Sequence, residues 1–304
     1  MTPVGWDVGR VRALYPALAD GYAYLDGAAG TQVPGAVIEA VAGAYRGGIG
    51  NVGGAFPASG RSGAIVAEAR RAVADLVGGE PDGVVLGPNM TTLTYVDGVH
   101  AAAHGPVDAA GLGADFYATS AYKWSGPHIG AVVADPALLE TIRPDKLASS
   151  TDEVPERFEQ GTSPFADFAG VTAAVDHLAS LDPGAAGTRR QRVLASMAAA
   201  EAYELELFGV LLSGLEAMGH VTTYGKAARR TATAYFTVAG HTPRQVAEHL
   251  AARRVNVWNG HNYAWELTGV LAIRDAGSAV RAGLVHYNNR EDVDRLLEGV
   301  AELG

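Results

Sequence analysis

The sequence predicts an α/β protein: a mostly parallel sheet with flanking helices, then a small C-terminal α+β domain. Three observations carry this. Val84-Val85-Leu86, Asp115-Phe116-Tyr117-Ala118-Thr119 and Ile129-Gly130-Ala131-Val132-Val133 are short apolar runs of the kind that form buried strands. Helix-type stretches, Ala36 to Tyr45 and Ser62 to Val77, precede them in the chain. After the turn Asp182-Pro183-Gly184 the order changes to a long helix from Arg189, then strand, helix, two strands and helix.

The individual elements follow from local chemistry. Asp7 to Tyr15 reads as a short amphipathic helix stopped by Pro16. Tyr24 and Leu25 start a short strand that turns at Asp26-Gly27. Pro34 suits a helix start. Residues 47–54 hold so many glycines that a flexible loop is expected. Thr231 to Val238 alternates as a strand. Thr242-Pro243-Arg244-Gln245 has the form of a capping box with proline at the first helical position. Val255 to Trp258 and Ala279 to Val285 read as strands. Asn289 begins a last helix, with Glu291 and Asp292 in the first turn, where negative charge is favoured. The organisation expected is an N-terminal arm over 1–25, a large domain over 26–185 and a small domain over 186–304.

Composition narrows the function. The chain has 304 residues and a net charge of −10, which speaks against a general nucleic-acid or anionic-membrane binder. It has no cysteine, which excludes disulfides, thiolate metal sites and a cysteine nucleophile. No signal peptide and no apolar run of membrane-spanning length is visible, so a cytoplasmic protein is expected. His100 and His104 are four apart, but Ala101 stands where a zinc-protease pattern needs glutamate, and no metal site is expected.

One pair of residues stands out. Asp97 ends one predicted strand and Lys123 follows the next. In a parallel sheet both lie at the carboxyl edge, where ligands bind. A lysine amine can hold a carbonyl cofactor as a Schiff base and move protons. An acid beside a pyridine nitrogen keeps that nitrogen protonated. Spacing alone also fits a solvated lysine and a turn aspartate.

The neighbouring motifs carry more. Tyr24-Leu-Asp-Gly-Ala-Ala29, Gly87-Pro-Asn-Met-Thr-Thr92, Tyr95-Val-Asp-Gly-Val-His100, Ser120-Ala-Tyr-Lys-Trp124, Arg157-Phe-Glu-Gln-Gly-Thr162 and Val280-Arg-Ala-Gly-Leu-Val-His-Tyr-Asn288 occur in this order over nearly the whole chain. Together they resemble the cysteine-desulfurase-like branch of the class V aminotransferases, which are pyridoxal 5'-phosphate (PLP) proteins of fold type I. The resemblance implies that Lys123 bonds the cofactor and that Asp97 pairs with the ring nitrogen. It places His100 by the ring, and Thr91, Thr92 and Ser120 at the phosphate. It implies that Thr162 reaches the phosphate of a second subunit in a homodimer. It puts Arg281 on a substrate carboxylate, where a planar fork suits two oxygens. Asn259-Gly260-His261-Asn262-Tyr263-Ala264 resembles an active-site loop of the same branch, which makes His261 a substrate-site candidate.

Two departures shape the functional expectation. A desulfurase passes sulfur to its own cysteine, and here there is none. The resemblance therefore implies an enzyme acting on an amino acid or amine by another class V route. The block that family members carry between the Thr91-Thr92 segment and the Asp97 strand is also replaced by Leu93, Thr94, Tyr95 and Val96. With it goes the aromatic residue that stacks on the PLP ring. A family sheet of order 3-2-4-5-6-7-1 would be left as 5-6-7-1, contiguous but with a new edge. The link from Pro88 to Tyr95 reaches at most about 25 Å, enough for three strand spacings of about 4.8 Å. The alternative expectation is a non-catalytic homologue with weak or no PLP binding.

Overall fold

The computed structural model describes residues 6–87, 96–159 and 161–304. In chain order it contains α1 (Val8–Ala13), β1 (Ala23–Tyr24), α2 (Gly35–Arg46), α3 (Pro57–Val77), β2 (Val84–Gly87) and β3 (Val96–Asp97). Then come β4 (Phe116–Ser120), β5 (Gly130–Ala134), α4 (Pro136–Thr141), α5 (Phe165–Ala179) and α6 (Arg189–Glu216). The rest is β6 (Val221–Tyr224), β7 (Thr233–Val238), α7 (Pro243–Ala252), β8 (Val255–Asn256), β9 (Trp258–Gly260), α8 (Trp265–Val270), β10 (Ala279–Gly283) and α9 (Arg290–Ala301). Two compact units form: one from Val33–Ala199, the other from Met1–Gln32 with Ala200–Gly304. Among the described residues no helix is long and apolar enough to cross a membrane.

The Val33–Ala199 unit is built on a four-stranded sheet of order β2-β5-β4-β3. β3 runs parallel to β4, whereas β5 runs antiparallel to both β4 and β2. Three of the four strands thus point the same way, as a mostly parallel sheet requires, and the order is the 5-6-7-1 remnant expected. β4 and β5 are buried at every residue, which explains why they read as continuous apolar runs rather than alternating ones. Gly83 enters β2 where a Cβ would lie 1.9 Å from the Ala134 carbonyl oxygen, so only glycine fits. α5 buries Phe165, Phe168, Val171, Ala174, Val175 and Leu178. Gly170 lets α2 approach, since a Cβ there would meet Val41 at 2.7 Å. Arg189 holds Glu68, Asp75 and Asp176 together at 2.5, 3.2 and 2.8 Å.

The second unit has a four-stranded antiparallel sheet of order β6-β7-β10-β9 and a separate β1-β8 parallel pair. The expected strand over Val255 to Trp258 is therefore two strands. Val255 and Asn256 pair with β1, while Trp258 begins the pairing with β10. β7 alternates half-buried and buried residues, so Ala234, Phe236 and Val238 face the core. α7 and α9 both begin with complete capping boxes, Thr242 with Gln245 and Asn289 with Asp292. Arg12 ties α1 to the start of α9 through Asp292 at 2.7 Å.

Candidate functional site

The lysine loop is fixed from behind. Ser120 ends β4, and Ala121–Lys123 form one 3-10 turn. The next residue, Trp124, is 1% exposed, and its indole N–H donates to Thr119 Oγ1 at 2.8 Å. Ser125 is buried with φ 71°, and the Gly126 N–H donates back to the Ala121 carbonyl at 2.8 Å. These contacts clamp both sides of Lys123, whose own side chain is half-buried. Its Nζ lies 5.3 Å from the centroid of the Tyr122 ring. That ring in turn stacks on His128 at 4.8 Å and 13°. Asp167 faces His128, and burial raises its carboxyl pKa while the imidazole pulls it back.

Asp97 ends β3, the strand next to β4, with Asp97 opposite Ala118 in a parallel register. Both strands therefore deliver their carboxyl ends to one edge, Asp97 from one and Ser120 and Lys123 from the other. Asp97 is exposed, and one carboxylate oxygen accepts from the Val99 N–H at 3.1 Å. Burial and the Asp97 charge raise the Tyr117 phenol to about 12. Gly98 then packs where a Cβ would strike the Tyr117 ring at 2.0 Å. His100, half-buried, follows on a 3-10 turn, its ring 4.4 Å from that of His104.

The other expected site residues fall elsewhere. Thr91 and Thr92 lie outside the described residues. Thr162 is exposed just before α5. Arg281 and His261 belong to the second unit. Arg281 sits mid-strand in β10, half-buried. Burial lowers its pKa, while Tyr235 and Asp26 raise it. His261 is exposed, accepts from the Tyr263 N–H at 3.2 Å and meets Trp265 edge-on at 5.4 Å. Sequence reasoning missed His128 and the stacking role of Tyr122. Their signal was only the spacing Tyr122…His128, which has no meaning until the loop folds back.

A lysine and an acid at the carboxyl edge of adjacent parallel strands, in an α/β sheet of this order, define a fold-type-I architecture. The chain belongs to the class V aminotransferase family, whose pattern (Aminotransferase class-V) matches residues 23–92 and 86–296. It is 27% identical over 404 residues to the Uncharacterized protein MT3887 of Mycobacterium tuberculosis (strain CDC 1551 / Oshkosh), covering 99% of this chain and all of that one. It is 32% identical over 224 residues to the cysteine desulfurase of Yersinia pestis (strain Pestoides F), which is 69% of this chain and about half, 51%, of that enzyme. The apo cysteine desulfurase of Thermococcus onnurineus NA1 shares its fold with a TM-score of 0.82 at 20% identity, over 100% of this chain and 98% of that one. The Escherichia coli cysteine desulfurase CsdA aligns with a TM-score of 0.78 at 21% identity, over 98% of each chain. A C-DES mutant with glycine covalently linked to its PLP cofactor aligns at 0.71 and 17% identity, over 96% of this chain and 99% of that one.

The family pattern matches this chain in two segments. The two family segments overlap at residues 86–92, so the pattern breaks and restarts there.

Proposed function

We propose that this chain is a PLP-dependent enzyme acting on an amino acid or amine. One observation carries the reading: Asp97 ends β3, and Lys123 follows the end of the adjacent parallel strand β4 at the same sheet edge. The residues present fit the cofactor in kind. Lys123 supplies the amine that bonds the aldehyde carbon, and Asp97 keeps one carboxylate oxygen beyond its Val99 contact to hold a proton on a ring nitrogen. Ser120, buried at the strand end, suits a phosphate oxygen, as do Thr91 and Thr92 by their sequence context. On the family resemblance, His100 would lie beside the ring and Thr162 would reach the phosphate bound by a second copy. When bound, the cofactor withdraws electrons from the substrate Cα. Lys123 Nζ then accepts and returns the Cα proton. Arg281 grips the substrate carboxylate, and His261, in the same unit, is the other substrate-site candidate.

The chain lacks the thiol that would accept sulfur, so we do not assign desulfurase turnover by the thiol route. The test is a PLP titration followed by visible absorbance. Wild type should develop a cofactor band, and Lys123→Ala should lose it; identical spectra refute the reading. A second reading, a non-catalytic homologue, is favoured by the break at 86–92. In that case the wild-type protein shows no band at any PLP concentration.

A further inference from the structure

In the unit that carries Arg281, four residues align across the sheet. Tyr224 pairs with Tyr235, Tyr235 with Arg281, and Arg281 with Trp258. Directly opposed strand residues project from the same face, about 5 Å apart. The guanidinium therefore stands in a row between two aromatic side chains. The opposite face belongs to the core: Ala234, Phe236, Val280 and Ala282 are fully buried there. The Arg281 face is more open. Tyr224, Tyr235 and Arg281 are half-buried, and Trp258 is 50% exposed on the edge strand β9.

Chemistry on this face fits a ligand with two parts. Among the described residues no ion pair engages Arg281. The nearby Asp26 keeps one carboxylate oxygen buried without a hydrogen-bond partner. Burial raises the Asp26 pKa, and the Arg281 charge pulls it back. The Tyr235 hydroxyl donates to the Gly260 carbonyl at 2.8 Å, which pins the phenol and leaves its ring for other contacts. The Tyr224 ring lies 6.1 Å beyond it.

We propose that this row sets the substrate class: an amino acid whose side chain ends in an aromatic or heteroaromatic ring, its carboxylate on Arg281 and its ring against Trp258 on the neighbouring strand. The proposal rests on the carboxylate role of Arg281 proposed above. The cross-strand spacing of about 5 Å is close to the span from carboxylate to ring in such a molecule. A straight aliphatic chain buries comparable area but forgoes the ring–ring term, which is worth about two- to ten-fold in affinity.

The test uses full-length protein and two probes without an amine, 3-phenylpropionate and hexanoate, so neither can bond the cofactor. Calorimetric titration should give 3-phenylpropionate an affinity two- to ten-fold above hexanoate. Trp258→Leu, at an exposed position, should erase that preference while hexanoate binding persists. Arg281→Gln should weaken both by more than ten-fold, with an unchanged melting temperature confirming the fold. Equal affinities, a preference that survives Trp258→Leu, or an Arg281→Gln protein that binds as wild type would each overturn the proposal. Because neither probe needs PLP, a missing cofactor band alongside a retained ring preference would sink the PLP reading and leave this one standing.

Discussion

Glu204 is 1% exposed in the core of its unit, where it accepts from the backbone N–H of His286. The His286 ring lies 3.9 Å away and also meets the Tyr15 hydroxyl at 2.7 Å. Burial pushes the Glu204 pKa well above the usual carboxylate range, more than that hydrogen bond pulls it down. The folded chain therefore holds this proton more tightly than the unfolded chain does. The resulting stability is present in full below the unfolded pKa of about 4.3 and is lost as pH rises through the raised folded value. Glu204→Gln keeps an acceptor for the His286 N–H and removes the titration. The variant should melt higher than wild type at pH 8, and the difference should shrink toward pH 4. Thermal melts across that range check it; a variant that melts lower at pH 8 contradicts the assignment.

At the scale of elements, two contests between local and tertiary forces can be decided by size. Gly170 lies inside α5, where alanine would gain about 1 kcal/mol of helix propensity. A Cβ there, however, would meet Val41 at 2.7 Å and Pro127 at 3.1 Å. Overpacking costs about 1–3 kcal/mol, so Gly170→Ala should lower the melting temperature. The capping boxes differ in the same way. Thr242 is an exposed cap, and Thr242→Ala should cost about 1 kcal/mol. Asp292 completes the α9 capping box from the N3 position but is also 2% exposed and paired with Arg12, so Asp292→Ala should cost about 3 kcal/mol or more. Denaturant titration of the two variants gives the ranking; equal losses would mean that the Arg12 pair contributes nothing. The Thr242–Gln245 capping box was legible in the sequence because its signal sits within four residues, whereas at Asn289 only the helix start and its first-turn charges were read. β4, β5 and the Lys123 loop were legible too, since fully buried strands read as apolar runs. α5 was not legible: it is apolar on nearly every side and shows no stripe to mark its period. β6, with Val-Thr-Thr-Tyr, carries too short and too polar a pattern. The row of Tyr224, Tyr235, Arg281 and Trp258 was hidden for a different reason. It depends on strand register, which joins residues far apart in the chain and is set only when one face is buried.

At the scale of the whole molecule, the question is what the break in the family pattern at residues 86–92 leaves behind. The sheet ends at β3, and an edge strand invites pairing with other chains. Here the described part of that edge is two residues long and one of them is the exposed Asp97, which blunts it. Asp97 at the end of β3, and Ser120 and Lys123 just past β4, still share one edge. Binding energy then decides between the enzyme and its non-catalytic alternative. A ligand that binds only the folded state stabilises it by about 2.7 kcal/mol at one hundred times its Kd. For a unit of this size that is a rise of about 5–10 °C. If Lys123, Asp97 and Ser120 suffice, PLP should raise the melting temperature by that amount at saturating concentration, and the rise should grow with the logarithm of PLP. Lys123→Ala should shrink it, because the covalent anchor is gone while the phosphate contacts remain. A flat melting temperature for wild type up to millimolar PLP would show that the lost block held an indispensable part of the site.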